Sequence, residues 1–124
     1  MKTEIIKNKE GEILTTQDGV QLTDHAFEVG DVFVPKTGVL ILDKNSKFEK
    51  FKVVANVKEE NGSSHEEVFV TLTPTQVEVF RKAQEEGVEL NQVKWTTYKY
   101  HSKTYDVDCV GISYKERKEP ISLN

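Results

Sequence analysis

The chain has 124 residues, of which 36% are hydrophobic and 31% are charged, and its formal net charge at pH 7 is −4. This length suits one hydrophobic core, and six Phe, four Tyr and one Trp exclude wholesale disorder. The acidic balance excludes an indiscriminate duplex-DNA binder of the histone type, because such proteins need a strongly positive surface.

The first half of the chain predicts strands. Asp-Gly at 18–19 is typical of a tight hairpin turn, because glycine tolerates the positive φ that such turns require. Residues 38–42 form a short apolar run that is typical of a buried strand. The clearest strand runs from Lys50 to Lys58, with apolar odd positions on one face and lysines on the other. A further strand over Glu67–Leu72 directs Phe69 away from its inward-facing neighbours.

The helix has the strongest local signals in the chain. Thr73 is a good N-cap, Pro74 suits the first helical position, and Gln76 completes a capping box. Gly87 is placed to end the helix. Its apolar stripe consists of Val77, Phe80 and Ala83.

The last part of the chain predicts two strands, Val93 to His101 and Tyr105 to Tyr114, joined by a hairpin turn at residues 102–104. In the second strand, the apolar positions change parity between Cys109 and Val110. This change predicts a β-bulge near Cys109 or strong barrel curvature.

Strands followed by one helix and then a hairpin form an order that resembles the oligonucleotide/oligosaccharide-binding (OB) fold, in which three strands precede the helix and two follow it. The resemblance covers about residues 10–115 and is one of element order. It implies a mainly β, barrel-like fold, with one α-helix between the third strand region and a C-terminal β-hairpin. An SH3-like barrel or another α+β sheet would have the same order. We expect one domain over residues 1–115 and a flexible tail over 116–124.

The location of the protein can also be predicted. The single cysteine, Cys109, excludes an internal disulfide and fits a reducing compartment. Residues 1–7 contain too short an apolar stretch for a secretion signal, and no run approaches the roughly 20 apolar residues of a membrane helix. We therefore expect a cytoplasmic protein that does not span a membrane.

Basic and aromatic residues are concentrated in two segments. Residues 91–105 contain no acidic residue, yet they contain three lysines, three tyrosines and the tryptophan. Lysines also recur over Lys47–Lys58. In a single-stranded nucleic acid, each base can stack on an aromatic ring while lysines neutralise neighbouring phosphates. We expect both segments to line one trough, with contacts from Lys50, Lys52, Phe69, Lys94, Trp95, Tyr98, Lys99, Tyr100 and Lys103.

This surface predicts non-enzymatic binding of single-stranded DNA or RNA with no cofactor. The structural alternative is that the rings pack in the core, Trp95 among them, and that the lysines only solvate an outer face or protect a sheet edge. The acidic balance favours a second function, a protein-interaction module or an accessory subunit, with a protein partner or a second copy as its ligand. Because aromatic rings also stack on sugars, a carbohydrate-binding barrel is a third alternative.

Catalytic and metal-binding patterns are not found in the sequence. His25, His65 and His101 are far apart, and none has a neighbouring ligand at metal-binding spacing. Asp106 and Asp108 form a pair of carboxylates, but no third acidic ligand follows at a recognised spacing. We expect neither a metal site nor an enzyme.

Overall fold

The computed structural model describes residues 1–5, 10–20, 23–43 and 50–115. Within these ranges, the chain forms eight strands and one α-helix. In chain order, these are β1 (Lys2–Ile5), β2 (Thr23–Ala26), β3 (Val32–Pro35), β4 (Ile41–Asp43), β5 (Lys50–Lys58), β6 (Ser64–Thr71), α1 (Pro74–Glu85), β7 (Lys94–Ser102) and β8 (Val107–Lys115). A 3-10 turn, Leu90–Gln92, precedes β7. The predicted tail, residues 116–124, and the first residues of the segment Lys47–Lys58 lie outside the described ranges.

The strands form one sheet with the order β1-β2-β6-β5-β3-β7-β8, and β4 pairs with β5 beside this path. The pair β2–β6 is parallel, and the other described pairs are antiparallel. The sheet curls into an open half-barrel, with α1 between β6 and the β7–β8 hairpin in the sequence. The predicted fold class, mainly β with one helix before a C-terminal hairpin, is confirmed.

Alternation along the strands determines which side chains form the core. In β5, Val53, Ala55 and Val57 are at most 1% exposed, because side chains at odd positions point into the half-barrel. The same alternation buries Phe33 and Trp95, whose ring centroids lie 6.0 Å apart. We call the opposite side of the sheet the outer face.

The predicted limits of the helix are confirmed. The Thr73 hydroxyl accepts a hydrogen bond from the Gln76 backbone N–H, and the Gln76 side chain accepts one from the Thr73 N–H. Gly87 has a φ of +85°, and the next residue, Val88, donates its N–H to the Ala83 carbonyl at 2.9 Å. This Schellman arrangement satisfies a carbonyl at the helix end, and it suits glycine because no Cβ is strained.

One hydrogen bond fixes α1 against the hairpin. The side chain of Gln76 is 3% exposed, and its Nε2 donates to the Val110 carbonyl of β8 at 3.0 Å. The first turn of the helix therefore covers part of the open edge of β8. No helix in the described part of the chain is long and apolar enough to cross a membrane.

One local prediction is wrong, and of the two alternatives predicted near Cys109, a bulge or strong curvature, the bulge is not found. Residues 38–42 do not form a buried strand, because β4 pairs only with the start of β5 and Val39 is 63% exposed. The β7–β8 pairing also runs without a shift from Lys94↔Lys115 to Ser102↔Val107, so no bulge lies near Cys109. The parity changes because Val110, Ile112 and Tyr114 face the core, whereas Val107 and Cys109, nearer the turn, lie on the outer face.

Candidate nucleic-acid interface

The strand register separates the predicted contacts into two groups. Trp95 and Val57 both pair with Phe33, so they mark the same level of the sheet. From that level, Lys52 lies five residues toward one end, and Tyr98 lies three residues toward the other. At a rise of about 3.3 Å per residue, these eight residues separate the two side chains by about 26 Å along the strands. The two groups therefore do not lie side by side, and a trough shared by both stays a prediction.

The first group consists of Lys50, Lys52 and Phe69. Phe69 is 54% exposed on the outer face. The Lys52 ammonium lies 3.3 Å from a carboxylate oxygen of Asp43 and 3.9 Å from one of Asp24. A phosphate beside Lys52 would meet both carboxylates, so this lysine does not offer the uncompensated charge that the sequence predicted.

Trp95 is not a surface residue. Its side chain is fully buried, and its Nε1 donates to the Leu90 carbonyl at 3.0 Å. The Phe80 and Tyr114 rings lie 4.7 and 5.0 Å from it, centroid to centroid. Trp95 therefore cannot stack on a base, and its prediction as a contact residue is wrong. The reason is parity, because Trp95 faces the core from β7 while Tyr98 and Tyr100 lie on the outer face.

Tyr98 and Tyr100 form what we call the hairpin platform. Their ring centroids lie 6.0 Å apart with the ring planes tilted by 46°. The Tyr98 ring, 46% exposed, covers the backbone of Gly111 on β8, where a Cβ atom would collide with the ring. Glycine at this position lets the ring lie flat against the hairpin while its other face stays open to solvent.

A shallow groove of about 300 Å³ lies between the platform and the start of α1. Besides the platform and Gly111, its lining residues are Thr75, Gln76, Val79 and Ile112. The carboxamide of Gln76 is already bonded to the Thr73 N–H and to the Val110 carbonyl, so it offers the groove little hydrogen bonding. A volume of this size lies at the lower limit of ligand pockets and suits a single ring.

Three of the predicted lysines lie on the same hairpin as the platform. Lys94 and Lys103 make no ion pair with any residue that the structure describes. Lys99 is 66% exposed although it has the core-facing parity, because the hairpin projects beyond the core at this point, and its Nζ lies 3.4 Å from an Asp108 oxygen. Of the nine predicted contacts, six lie on this hairpin, namely the buried Trp95 and Lys94, Tyr98, Lys99, Tyr100 and Lys103.

The sequence did not predict the ionic contacts at the end of this hairpin. His101 Nδ1 lies 3.0 Å from Asp108 Oδ1, and His101 Nε2 lies 2.9 Å from Asp106 Oδ1. Hydrogen bonds with Asp108 and then Asp106 raise the pKa of His101, and hydrogen bonds with His101 and then Lys99 lower the pKa of Asp108. We call these four residues the hairpin-end cluster. A predicted turn of four residues, 103–106, would have placed His101 opposite Asp108 and so indicated this cluster.

A second unpredicted cluster, the amine pocket, surrounds the amino group of Met1. This nitrogen lies 2.9 Å from Asp31 Oδ1, 2.5 Å from Glu59 Oε1 and 3.6 Å from Glu28 Oε1. Burial, the largest influence, lowers the pKa of the Met1 amine, but hydrogen bonds to Glu59 and Asp31 outweigh it and leave that pKa raised. The pKa of Glu59 is lowered by its hydrogen bond with His65 and by the amine.

No protein-family model, curated protein or solved structure matches this chain. Among the residues that the structure describes, no three His, Cys, Asp or Glu side chains are arranged to hold a metal ion. What the platform itself offers is an open aromatic face, a ring-sized apolar groove and three lysines on the same hairpin.

Proposed function

We propose that the protein binds single-stranded DNA or RNA without catalysis, by stacking an unpaired base on Tyr98 at the hairpin platform. The observation that carries this proposal is the Tyr98 ring, held half-exposed over Gly111 beside a groove of about 300 Å³. As part of the same proposal, the half-barrel acts as an OB fold does and presents this surface to the single strand. The interface is smaller than the sequence predicted, because Lys50, Lys52 and Phe69 lie outside it.

Geometry limits how many bases the platform takes. The tilt of 46° between the two tyrosine rings leaves no pair of parallel faces on which two stacked bases could continue. One base therefore stacks on Tyr98, where base–aromatic stacking contributes about 1–3 kcal/mol, and the Tyr100 ring flanks it. Stacking is tolerant of base identity, so we expect little sequence preference.

Charge limits the affinity. Lys94 and Lys103 are available to phosphates, whereas Lys99 lies on the opposite face of the hairpin from Tyr98 and is partly neutralised by Asp108. Two such contacts predict that log Kd rises with log salt concentration by only about 1.4, from about 0.7 per contact on single strands. Duplex DNA conceals its base faces, so it should bind more weakly than a single strand at the same salt concentration.

The experiment is fluorescence anisotropy of a labelled dT oligonucleotide at two salt concentrations. Tyr98→Leu keeps an apolar side chain over Gly111 but removes the flat ring, and we expect about tenfold weaker binding from the loss of one stack. Phe69→Leu removes an exposed ring from the same outer face outside the platform, and it should leave the affinity unchanged. Intrinsic tryptophan fluorescence is unsuitable because Trp95 is buried. Absence of binding at low salt, or an equal loss in Phe69→Leu, contradicts the proposal.

A protein partner is the second candidate, and exposed apolar side chains on the outer face favour it. Ile41 is 39% exposed and Phe69 is 54% exposed, on strands that flank β5. If this face binds a second copy, light scattering should give a mass above that of one chain, and Phe69→Ser should return it to one chain. A monomeric mass for the unsubstituted protein would contradict self-association.

A further inference from the structure

The outer face of the β7–β8 hairpin carries a row of side chains that continues from the platform toward the start of β7. Strand alternation places Lys94 and Thr96 on the same face as Tyr98. The strand register sets Lys115 opposite Lys94 and Ser113 opposite Thr96. The hydroxyl oxygens of Thr96 and Ser113 lie 3.2 Å apart, so both strands contribute side chains to this face.

Two like charges lie opposite each other at the end of this row. Residues directly opposite on antiparallel strands have Cβ atoms about 4.5–5.5 Å apart, and like charges in that position are unfavourable. Among the residues that the structure describes, no carboxylate forms an ion pair with Lys94 or Lys115. Glu86, which contacts this end of β8, accepts a hydrogen bond at 3.5 Å from the Tyr114 hydroxyl, and Tyr114 belongs to the core-facing side of the strand. The two ammonium groups are therefore open to an anion from solution.

The turn end of the hairpin is less suited to a phosphate. Lys103 lies in the same four-residue turn as Asp106, whose side chain is 94% exposed. A phosphate beside Lys103 would approach this carboxylate, and the repulsion would cancel part of the attraction. Positive charge on the outer face of the hairpin therefore increases from the turn toward Lys94 and Lys115.

We propose that Lys94 and Lys115 together form a phosphate site, so that a single strand stacked on Tyr98 runs along the outer face toward the start of β7. This inference rests on the proposed function and deepens it, because Lys115, rather than Lys103, supplies the second lysine contact. The group bound is a phosphodiester of the DNA or RNA backbone, which carries the negative charge of each nucleotide.

The spacing along the hairpin suits this arrangement. Lys94 lies four residues from Tyr98, which is about 13 Å along β7 at a rise of about 3.3 Å per residue. The flexible four-carbon stem of each lysine shortens the distance that the backbone of the strand must cover. Between the platform and the lysines, Thr96 and Ser113 bond to each other and introduce no charge. A strand can therefore follow this face without meeting a carboxylate of the described residues.

Fluorescence anisotropy of the same dT oligonucleotide over a series of salt concentrations tests the inference. Lys115→Gln should weaken binding by up to about eightfold at about 50 mM salt, and it should lower the slope of log Kd against log salt concentration by about 0.7. Lys94→Gln should have the same two effects. Lys103→Gln is the matched control, because it removes the same charge from the same hairpin, and it should leave the affinity and the slope nearly unchanged.

The stability of the free protein separates a binding role from a structural one. Replacing either lysine of the opposed pair removes a repulsion between like charges, so the unfolding midpoint in urea should stay the same or rise. If Lys115→Gln instead lowers the midpoint and leaves the salt slope unchanged, Lys115 is a structural residue and the inference is overturned.

The outcomes also distinguish this inference from the proposed function. If Tyr98→Leu weakens binding but Lys115→Gln does not change the salt slope, the inference is overturned while the proposed function stands. An effect of Lys103→Gln as large as that of Lys115→Gln overturns it as well, since phosphates would then bind at both ends of the hairpin. If no single strand binds even at low salt, the proposed function fails, and the phosphate site fails with it.

Discussion

The amine pocket and the hairpin-end cluster share one arrangement in two different environments. In each, a basic nitrogen lies between carboxylates, the Met1 amine between Asp31 and Glu59 and the His101 ring between Asp106 and Asp108. The side chains of Met1 and Asp31 are 2% exposed. That of His101 is 52% exposed.

Burial gives the two clusters different roles. Removing one partner of a buried ion pair leaves the other charge uncompensated, which strongly destabilises the fold. An exposed ion pair contributes little, because water and salt ions replace the lost partner. Asp31 also accepts the Glu28 N–H, and its backbone carbonyl accepts a hydrogen bond from Thr97 on β7. The amine pocket therefore stabilises the fold, while the hairpin-end cluster can change state without unfolding it.

The largest effect is expected from Asp31→Asn. The substitution keeps the shape but removes the buried carboxylate that binds the Met1 amine, which then keeps only Glu59 and the more distant Glu28. We expect the free energy of unfolding to fall by about 2 kcal/mol. Urea denaturation followed by fluorescence of the buried Trp95 measures it. Glu60→Gln, on the lining of the same pocket, is the matched control and should change stability by less than about 0.5 kcal/mol. Equal effects of the two substitutions would contradict the role of the buried pair.

Alkaline pH should break the same contact without a mutation. Because contacts with Glu59 and Asp31 raise the pKa of the Met1 amine above 8.0, its stabilising effect is complete below that value and is lost as the pH rises through the folded-state pKa. The unfolding free energy should therefore decline above about pH 8. Asp31→Asn should decline less over the same range, and since other groups titrate in both proteins, the difference isolates this pair. Parallel curves would refute the prediction.

Gly111→Ala probes the hairpin without touching either cluster. The new Cβ displaces the Tyr98 ring, which can rotate toward solvent, so stability should fall by less than about 1 kcal/mol. Strand binding should weaken about as much as in Tyr98→Leu, because the base loses its platform. Gly38→Ala, at a glycine with ordinary φ where a Cβ would make only an ordinary contact with the Gln84 side chain at 4.0 Å, is the control and should bind normally. If Gly111→Ala leaves the affinity for the single strand unchanged, the binding site lies elsewhere.

Local signals in the sequence predicted the elements that depend on local physics. The capping box at Thr73 and the glycine at 87 define α1 because both act through neighbouring backbone groups. Alternation over Lys50–Lys58 predicted β5 and its buried face, since side-chain direction in a strand follows from parity alone.

Long-range contacts decided the site, and the sequence carries no local signal for them. Tyr98 and Trp95 are aromatic residues on the same strand, β7. Only the pairing of Trp95 with Phe33 on β3 shows which of the two rings faces the core. A three-residue turn was predicted where the structure has four residues, which moved the partner of His101 from Asp108 to Tyr105. In the amine pocket, Met1 contacts two residues that lie 30 and 58 positions away along the sequence, beyond the reach of any local pattern.

The smallest effect on stability is expected from His101→Gln, and it completes the comparison. Its two partners are exposed and remain solvated when the imidazolium is lost, so the unfolding midpoint in urea should not change measurably at about pH 6. A loss of stability as large as that of Asp31→Asn would mean that the hairpin end supports the core after all. The distinction between a buried structural pair and an exposed adjustable pair would then fail.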